Sequence, residues 1–308
     1  MIAALAGGVG AAKFLAGLVR VGDATDVTAI VNVADDETFH GLHVSPDLDS
    51  VTYALGGVHN AELGWGRAGE TFRTIDELAR FGQPNWFRLG DLDLATHLFR
   101  TDRLRAGATL TEVTAEVTHS FGIAARILPV TDDRLRTVVR AGDPARDYPM
   151  QEWFVRERCQ PIVESVRFDG AESCRPTDAV FDALGRADAI VVCPSNPIIS
   201  IGPLLAVPGV RDVMVERRDR VVAVSPIVGG APVKGPADRL MGPLGIEVSA
   251  VGVARLYRDF CTAFVIDEVD RALQPAIEDL GLRVIVTDTM MHNVEIASRL
   301  ATTTIGAL

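Results

Sequence analysis

The sequence predicts an α/β fold: a Rossmann-like, three-layer parallel sheet, with a mostly helical second region over the C-terminal edge of the strands. Three observations carry this. Short apolar, β-rich runs alternate with stretches of helical spacing at both ends of the chain, the pattern of a parallel sheet. The first such run leads straight into Gly7-Gly8-Val9-Gly10 and a helical segment. Four predicted strands end in polar or glycine-rich turns, the edge where open parallel sheets bind ligands. With 308 residues, one large or two ordinary domains are accessible. The division expected is a core of residues 1–72 and 171–308, with 73–170 inserted as a cap.

Taken in order, Ile2 to Leu5 reads as a short buried strand and Ala11 to Arg20 as the helix after the glycine turn. VTAIVNVADD reads as a second strand with Asn32, Asp35 and Asp36 at its exit. His40 to Asp49 reads as a loop broken by Pro46, and Asp49-Ser50 as the cap of a short helix from about Val51 to Leu55. Thr74 to Phe81 has helical spacing. Asp91 stands at the start of another helix, with Leu94, Leu98 and Phe99 on one face. Thr109 and Glu112 have capping-box spacing ahead of a helix that stops at Gly122. ARILPV and LRTVVRA read as strands, and Gln151 to Gly170 as two more separated by Pro161. Four further strands follow, in ADAIVVC, VVAV, TAFVID and LRVIVTDT, with a helix in SAVGVARLYRDFC and a terminal helix from Met291.

Composition excludes several classes. Apolar residues make up 48% and charged residues 23%, as in folded globular proteins. A net charge of -11 argues against a nucleic-acid binder, which would carry a basic face. No apolar run reaches the ~18 residues of a membrane helix. The four cysteines form no C-x-x-C pair, which favours reduced thiols and a cytoplasmic location. Of 30 basic residues only Lys13 and Lys234 are lysines, and both lie in glycine-rich stretches. A compact ammonium kept where arginine is the rule suits a phosphate.

The glycine turn matches neither standard phosphate motif. No Ser or Thr follows Lys13, as a Walker loop requires. Lys13 also occupies the third glycine position of the dinucleotide fingerprint, which counts against a nicotinamide-dependent oxidoreductase. What remains is a strand, a tight turn and a helix N-terminus facing an anion. At the other exits, Ser195, Asn196 and Ser225 supply hydrogen-bonding groups for a base, ribose or phosphate. Asp47/Asp49 and Asp91/Asp93 form two D-x-D pairs. Such a pair in a loop can present oxygens to Mg2+; Asp91 is equally placed to be a helix cap. His97 lies on the same predicted helix as Asp91. Trp65, between two glycines, could stack on a flat heterocycle or fill a core position.

AGGVGAAK, NVADD, SPDLDSVTYALGG, LGDLDLATH, CPSNPIISIGPLLAVPG and VAVSPIVGGAPVKGPADRLM occur in that order over nearly the whole chain. Together they resemble the 2-phospho-L-lactate transferase family of coenzyme F-420 biosynthesis. The resemblance implies attack by the terminal ribityl hydroxyl of Fo (7,8-didemethyl-8-hydroxy-5-deazariboflavin) on a guanosine-diphosphate-linked lactate or enolpyruvate. GMP leaves and a phosphodiester forms. It further implies Mg2+ and a homodimer. Gly7, Gly8, Gly10 and Lys13 would hold the diphosphate, and Ser195, Asn196, Ser225 and Pro226 would help bind the guanosine side or line the phosphate channel. Asp49 and Asp91 would lie toward Fo and the metal; Asn32, Asp36, Asp93, His97, Lys234 and Gly235 would also contact substrate. Asp47 or Asp49 would hold the metal, and a carboxylate among Asp47, Asp49 and Asp91 would assist deprotonation. The same fold resembles nucleotide-sugar-binding regulatory proteins of the gluconeogenesis-factor type, the alternative reading.

Overall fold

A computed structural model describes residues 1–308. The strands are β1 (Ile2–Ala6), β2 (Val27–Val31), β3 (Glu37–Phe39), β4 (Leu42–Val44), β5 (Arg126–Pro129), β6 (Arg136–Gly142), β7 (Ala145–Pro149), β8 (Val163–Asp169), β9 (Ala189–Val192), β10 (Val221–Val224), β11 (Ile227–Val228), β12 (Ala231–Pro232), β13 (Ala263–Asp267) and β14 (Arg283–Thr287). The helices are α1 (Gly8–Leu18), α2 (Pro46–Leu55), α3 (Arg73–Arg80), α4 (Asp91–Arg105), α5 (Leu110–Ser120), α6 (Asp178–Arg186), α7 (Gly202–Ala206), α8 (Val210–Glu216), α9 (Ala237–Met241), α10 (Ala250–Tyr257), α11 (Gln274–Glu278) and α12 (Val294–Ile305).

Seven strands form one parallel sheet in the order β14-β13-β10-β9-β1-β2-β5. β2, β9, β10 and β13 are buried at every position, because helices cover both faces and Val, Ile and Ala runs suit that environment. The chain grows outward through β2 and β5, then returns beside β1 with β9 and grows the other way. The switch point therefore falls between β1 and β9, where open α/β sheets open a crevice. β10, β9, β1 and β2, the strands whose exits the sequence marks, are consecutive in the sheet.

Four expectations change. The helix after β4 begins at Pro46, not near Val51: proline occupies the first turn, where its missing N–H costs nothing. β3 and β4 precede it as a hairpin where a loop was expected. β5 is the edge strand of the main sheet, so residues 73–170 are not wholly a cap. The antiparallel sheet β7-β6-β8 stands apart from the main one. It has its own small core around Val139, Trp153 and Leu240. Between Gln151 and Gly170 there is one strand, not two; a helical turn at Glu152–Arg156 buries Trp153, whose Nε1–H donates to the Pro161 carbonyl at 3.1 Å. The capping box at Thr109 and Glu112 is present. No single helix is long and apolar enough to cross a membrane, and all four cysteines are free.

Candidate active site

The glycine turn is shorter than its sequence suggests. Gly7 is the N-cap, and Gly8 and Gly10 already belong to α1. Close approach explains the glycines. A Cβ on Gly7 would lie 2.7 Å from Ser200 Cβ and 2.8 Å from Asp47 Oδ2, and one on Gly10 would lie 2.3 Å from the Pro194 carbonyl oxygen. Gly8 has φ +70°, which glycine alone adopts freely. The exits of β1 and β9 and the start of α2 thus close on one another with no room for side chains at the turn.

Asn32, at the exit of β2, ties this node together. Its Nδ2 donates to Asp47 Oδ2 at 2.9 Å and to the Ile199 carbonyl at 3.3 Å, while its Oδ1 accepts from Ala34 N–H. Asp47 is buried, and burial pushes its carboxyl up to about 6; Asn32 and the Gly8 N–H pull it down, and the charge of Asp36 pushes it up again. Asp36 accepts from Ser45 Oγ at 2.7 Å and meets His43 Nε2 at 2.9 Å, yet burial still raises it. Asp35 is raised further, by burial and by the charge of Asp47. Asp35 Oδ1 and Asp36 Oδ1 are buried without a hydrogen-bond partner. Asp35 and Asp36 each therefore keep one buried oxygen unspent. Asp35 and Asp36 also line a cavity of about 210 Å³ that opens toward Arg136, Tyr148 and Arg167.

Asp49 behaves differently. Because α2 begins at Pro46, Asp47 and Asp49 sit two residues apart on a helix, roughly 200° around its axis, and cannot chelate one ion as a loop pair would. That corrects the expectation of a shared Asp47/Asp49 metal site. Asp49 faces α4, where both its oxygens are taken by the buried Arg100: Nη1 donates to Oδ2 at 3.2 Å and Nη2 to Oδ1. Burial opposes the Arg100 charge, but Asp49 holds its pKa above the ordinary arginine value. His97 Nδ1 lies 3.2 Å from Arg100 Nη1 and 3.7 Å from Asp49 Oδ2. His97 Nε2 lies 3.2 Å from Asp93 Oδ1 but off hydrogen-bonding geometry, and Tyr53 Oη donates to that same oxygen at 2.6 Å. Although burial works against it, Asp93 stays below its usual range because His97, Tyr53 and Arg100 stabilise its charge. Asp49, Asp93 and His97 converge closely enough to hold a metal, but Arg100 already supplies the cation there.

The remaining candidates divide. Asp91 points away from this cluster; Thr71 N–H donates to its Oδ1 at 2.7 Å, which lowers its pKa, and the carboxylate is exposed. Leu98 and Phe99 are 57% and 42% exposed, so α4 buries a polar face in place of the expected apolar one. Ser195 Oγ and Asn196 Nδ2 are buried and unpartnered, available to a ligand at the β9 exit. Ser225 is not: its Oγ donates to the Ile227 carbonyl and accepts from Ile227 N–H. Pro226, next to it, is half-buried. Lys13 is exposed, and its charge, after burial, helps lower the pKa of Lys234. Lys234 is exposed as well. Gly235, at φ +79°, has open space around it. Trp65 is 41% exposed and leans on Phe72 at 5.8 Å, so it is not a core residue. Sequence reasoning missed Arg100 and Tyr53, which hold Asp49 and Asp93.

The family model described as "2-phospho-L-lactate transferase CofD" matches residues 2–298. The chain is 42% identical over 304 residues to the phosphoenolpyruvate transferase of Streptomyces griseus, covering 97% of this chain and 96% of that one. It is 39% identical over 302 residues to the 2-phospho-L-lactate transferase of Methanosarcina acetivorans, covering 98% and 97%. Among solved structures, a UPF0052-family protein from Bacillus halodurans superposes with a TM-score of 0.66 over 98% of each chain at 16% identity, a likeness of fold. With the family model spanning residues 2–298 and relatives about 40% identical over nearly the whole chain, the chain belongs to the 2-phospho-L-lactate transferase CofD family.

Proposed function

We propose that the protein transfers a phospho-lactyl or phospho-enolpyruvyl group from a guanosine-diphosphate-linked donor to the terminal hydroxyl of Fo. GMP is released and coenzyme F-420-0 or its dehydro form is made. The observation that carries this reading is the meeting of four adjacent strand exits on one edge, with the glycine turn and the unpartnered Ser195 Oγ and Asn196 Nδ2 among them. An anionic donor would suit these groups, with a cation between it and the carboxylates of Asp35 and Asp36. Family membership selects the chemistry, since the named relatives are transferases of phosphoenolpyruvate and of 2-phospho-L-lactate.

In this reading the N–H groups that open α1, with Lys13 and Lys234, hold the diphosphate. Ser195 and Asn196 hydrogen-bond the nucleotide side of the donor. Mg2+ would be held by Asp47 with Asp35 or Asp36 and would neutralise phosphate charge. Asp49, fixed by Arg100, and Asp93, fixed by Tyr53 and His97, form a rigid acidic wall toward the acceptor. Phosphoryl transfer draws most of its rate from positioning and charge neutralisation. Placing the ribityl hydroxyl in line with the phosphorus is therefore the main task of that wall.

The test is an endpoint assay by mass spectrometry. Purified protein is mixed with Mg2+, Fo, GTP, either phosphoenolpyruvate or 2-phospho-L-lactate, and a guanylyltransferase that makes the donor. The expected result is a deazaflavin phosphodiester plus GMP, with the product mass naming the three-carbon acid. No product from either acid, with donor formation verified, overturns the reading in favour of a binding role.

A further inference from the structure

The strap between α2 and α3, residues 57–72, reaches from one lysine to the acidic wall. Its tip is Gly64-Trp65-Gly66. The only hydrogen-bond partner of Lys234 Nζ is the Gly64 carbonyl, at 3.1 Å, and neither Lys234 nor Lys13 is paired with a carboxylate. Within the strap, Asn60 N–H donates to the Gly66 carbonyl, Gly64 N–H to Asn60 and Ala68 N–H to Val58, so it is a folded unit. Its far end forms the N-terminal surroundings of α4. Arg67 Nη1 donates to the Leu92 carbonyl at 3.0 Å, Glu70 accepts from Asp93 N–H at 3.3 Å, and Thr71 N–H donates to Asp91 at 2.7 Å. Arg67 also lies over the rings of Tyr53 and Phe121. From there α4 carries Asp93, His97 and Arg100 to Asp49.

We propose that Lys234 and this strap couple the two substrate sites, so that a diphosphate held between Lys13 and Lys234 tightens binding of the acceptor. The proposal rests on the donor and acceptor sites assigned above. An ammonium has three donors; one is spent on Gly64, and two remain for an anion. An anion between the lysines removes their mutual repulsion and fixes Lys234, hence the strap tip. The strap then holds the start of α4, and with it Asp93 and the clamp on Asp49. Coupling of this kind is reciprocal, so Fo must tighten the diphosphate by the same factor.

Two measurements test it, with GDP as the probe at a concentration that saturates each variant. The first is Fo affinity by fluorescence, with and without GDP. The second is hydrogen exchange of the Asn60, Gly64 and Ala68 amides with GDP alone. For the unaltered protein, GDP should tighten Fo binding about 5- to 10-fold and slow strap exchange. In Lys234→Met the affinity ratio should fall below about 2 and strap exchange should ignore GDP; Lys234→Arg, which keeps the cation, should recover much of both. A Lys234→Met protein that keeps the full ratio overturns the proposal, as does strap exchange in the unaltered protein that GDP leaves unchanged. Strap slowing by GDP without any Fo binding supports the Lys234 linkage and overturns the acceptor assigned under the proposed function.

Discussion

Asp47 and Asp49 stand two residues apart on α2, both buried, and their surroundings are opposite. Asp49 is matched: a buried guanidinium takes both its oxygens, and the neighbouring Asp93 accepts from Tyr53 with His97 close by. Asp47 is under-matched: it has the Asn32 amide and the Gly8 N–H, while Asp35 and Asp36 add like charge nearby. Buried charge without a partner is costly and persists where a ligand or ion supplies the missing compensation. One helix therefore presents a charge-matched face to α4 and an under-matched face to the strand exits.

Four substitutions break or sharpen that comparison. Arg100→Met should have the largest effect on folding. It leaves Asp49 buried and unpaired, a loss of roughly 3–5 kcal/mol, read as a fall in Tm; adding Asp49→Leu should recover most of it. A Tm change below about 2 °C for Arg100→Met would mean that the face toward α4 is not held by this pair. Asp47→Asn should do the reverse: transfer falls by about 100-fold or more, while Tm holds or rises, because a carboxylate held near pH 6 by burial is removed. A drop in Tm as large as that of Arg100→Met would erase the distinction between the two acids. Gly10→Ala presses a methyl group against the Pro194 carbonyl and should cost about 1–3 kcal/mol, with donor KM raised more than kcat is lowered. Asp91→Asn should be the mildest. Its carboxylate is exposed and serves Thr71, so turnover should change by less than about threefold; a larger loss, steady-state kinetics would reveal, returns Asp91 to the chemistry.

The central strands β2, β9, β10 and β13 were legible because they are buried on both faces, where continuous Val, Ile and Ala runs are favoured. The four polar exits were legible for the complementary reason: polar groups and glycines at the ends of such runs have no role in the sheet. The expected 151–170 strand pair failed because an apolar stretch around Trp153 reads equally as strand or helix at that length. Pro46 was misread as a breaker when it is the first turn of a helix. That one reading misassigned the geometry of SPDLD, since a D-x-D pair chelates from a loop and diverges on a helix.

By itself the sequence determined the parallel α/β architecture, the glycine turn, the two singular lysines and the family, all properties of local pattern or motif order. Only the tertiary structure decided which acid is clamped and which is not. Arg100 meets Asp49 across 51 residues, and Lys234 meets Gly64 across 170. Neither pairing has a period or spacing to announce it. Charge compensation depends on distance in space and on burial, and both are set when the helices and loops close over the sheet.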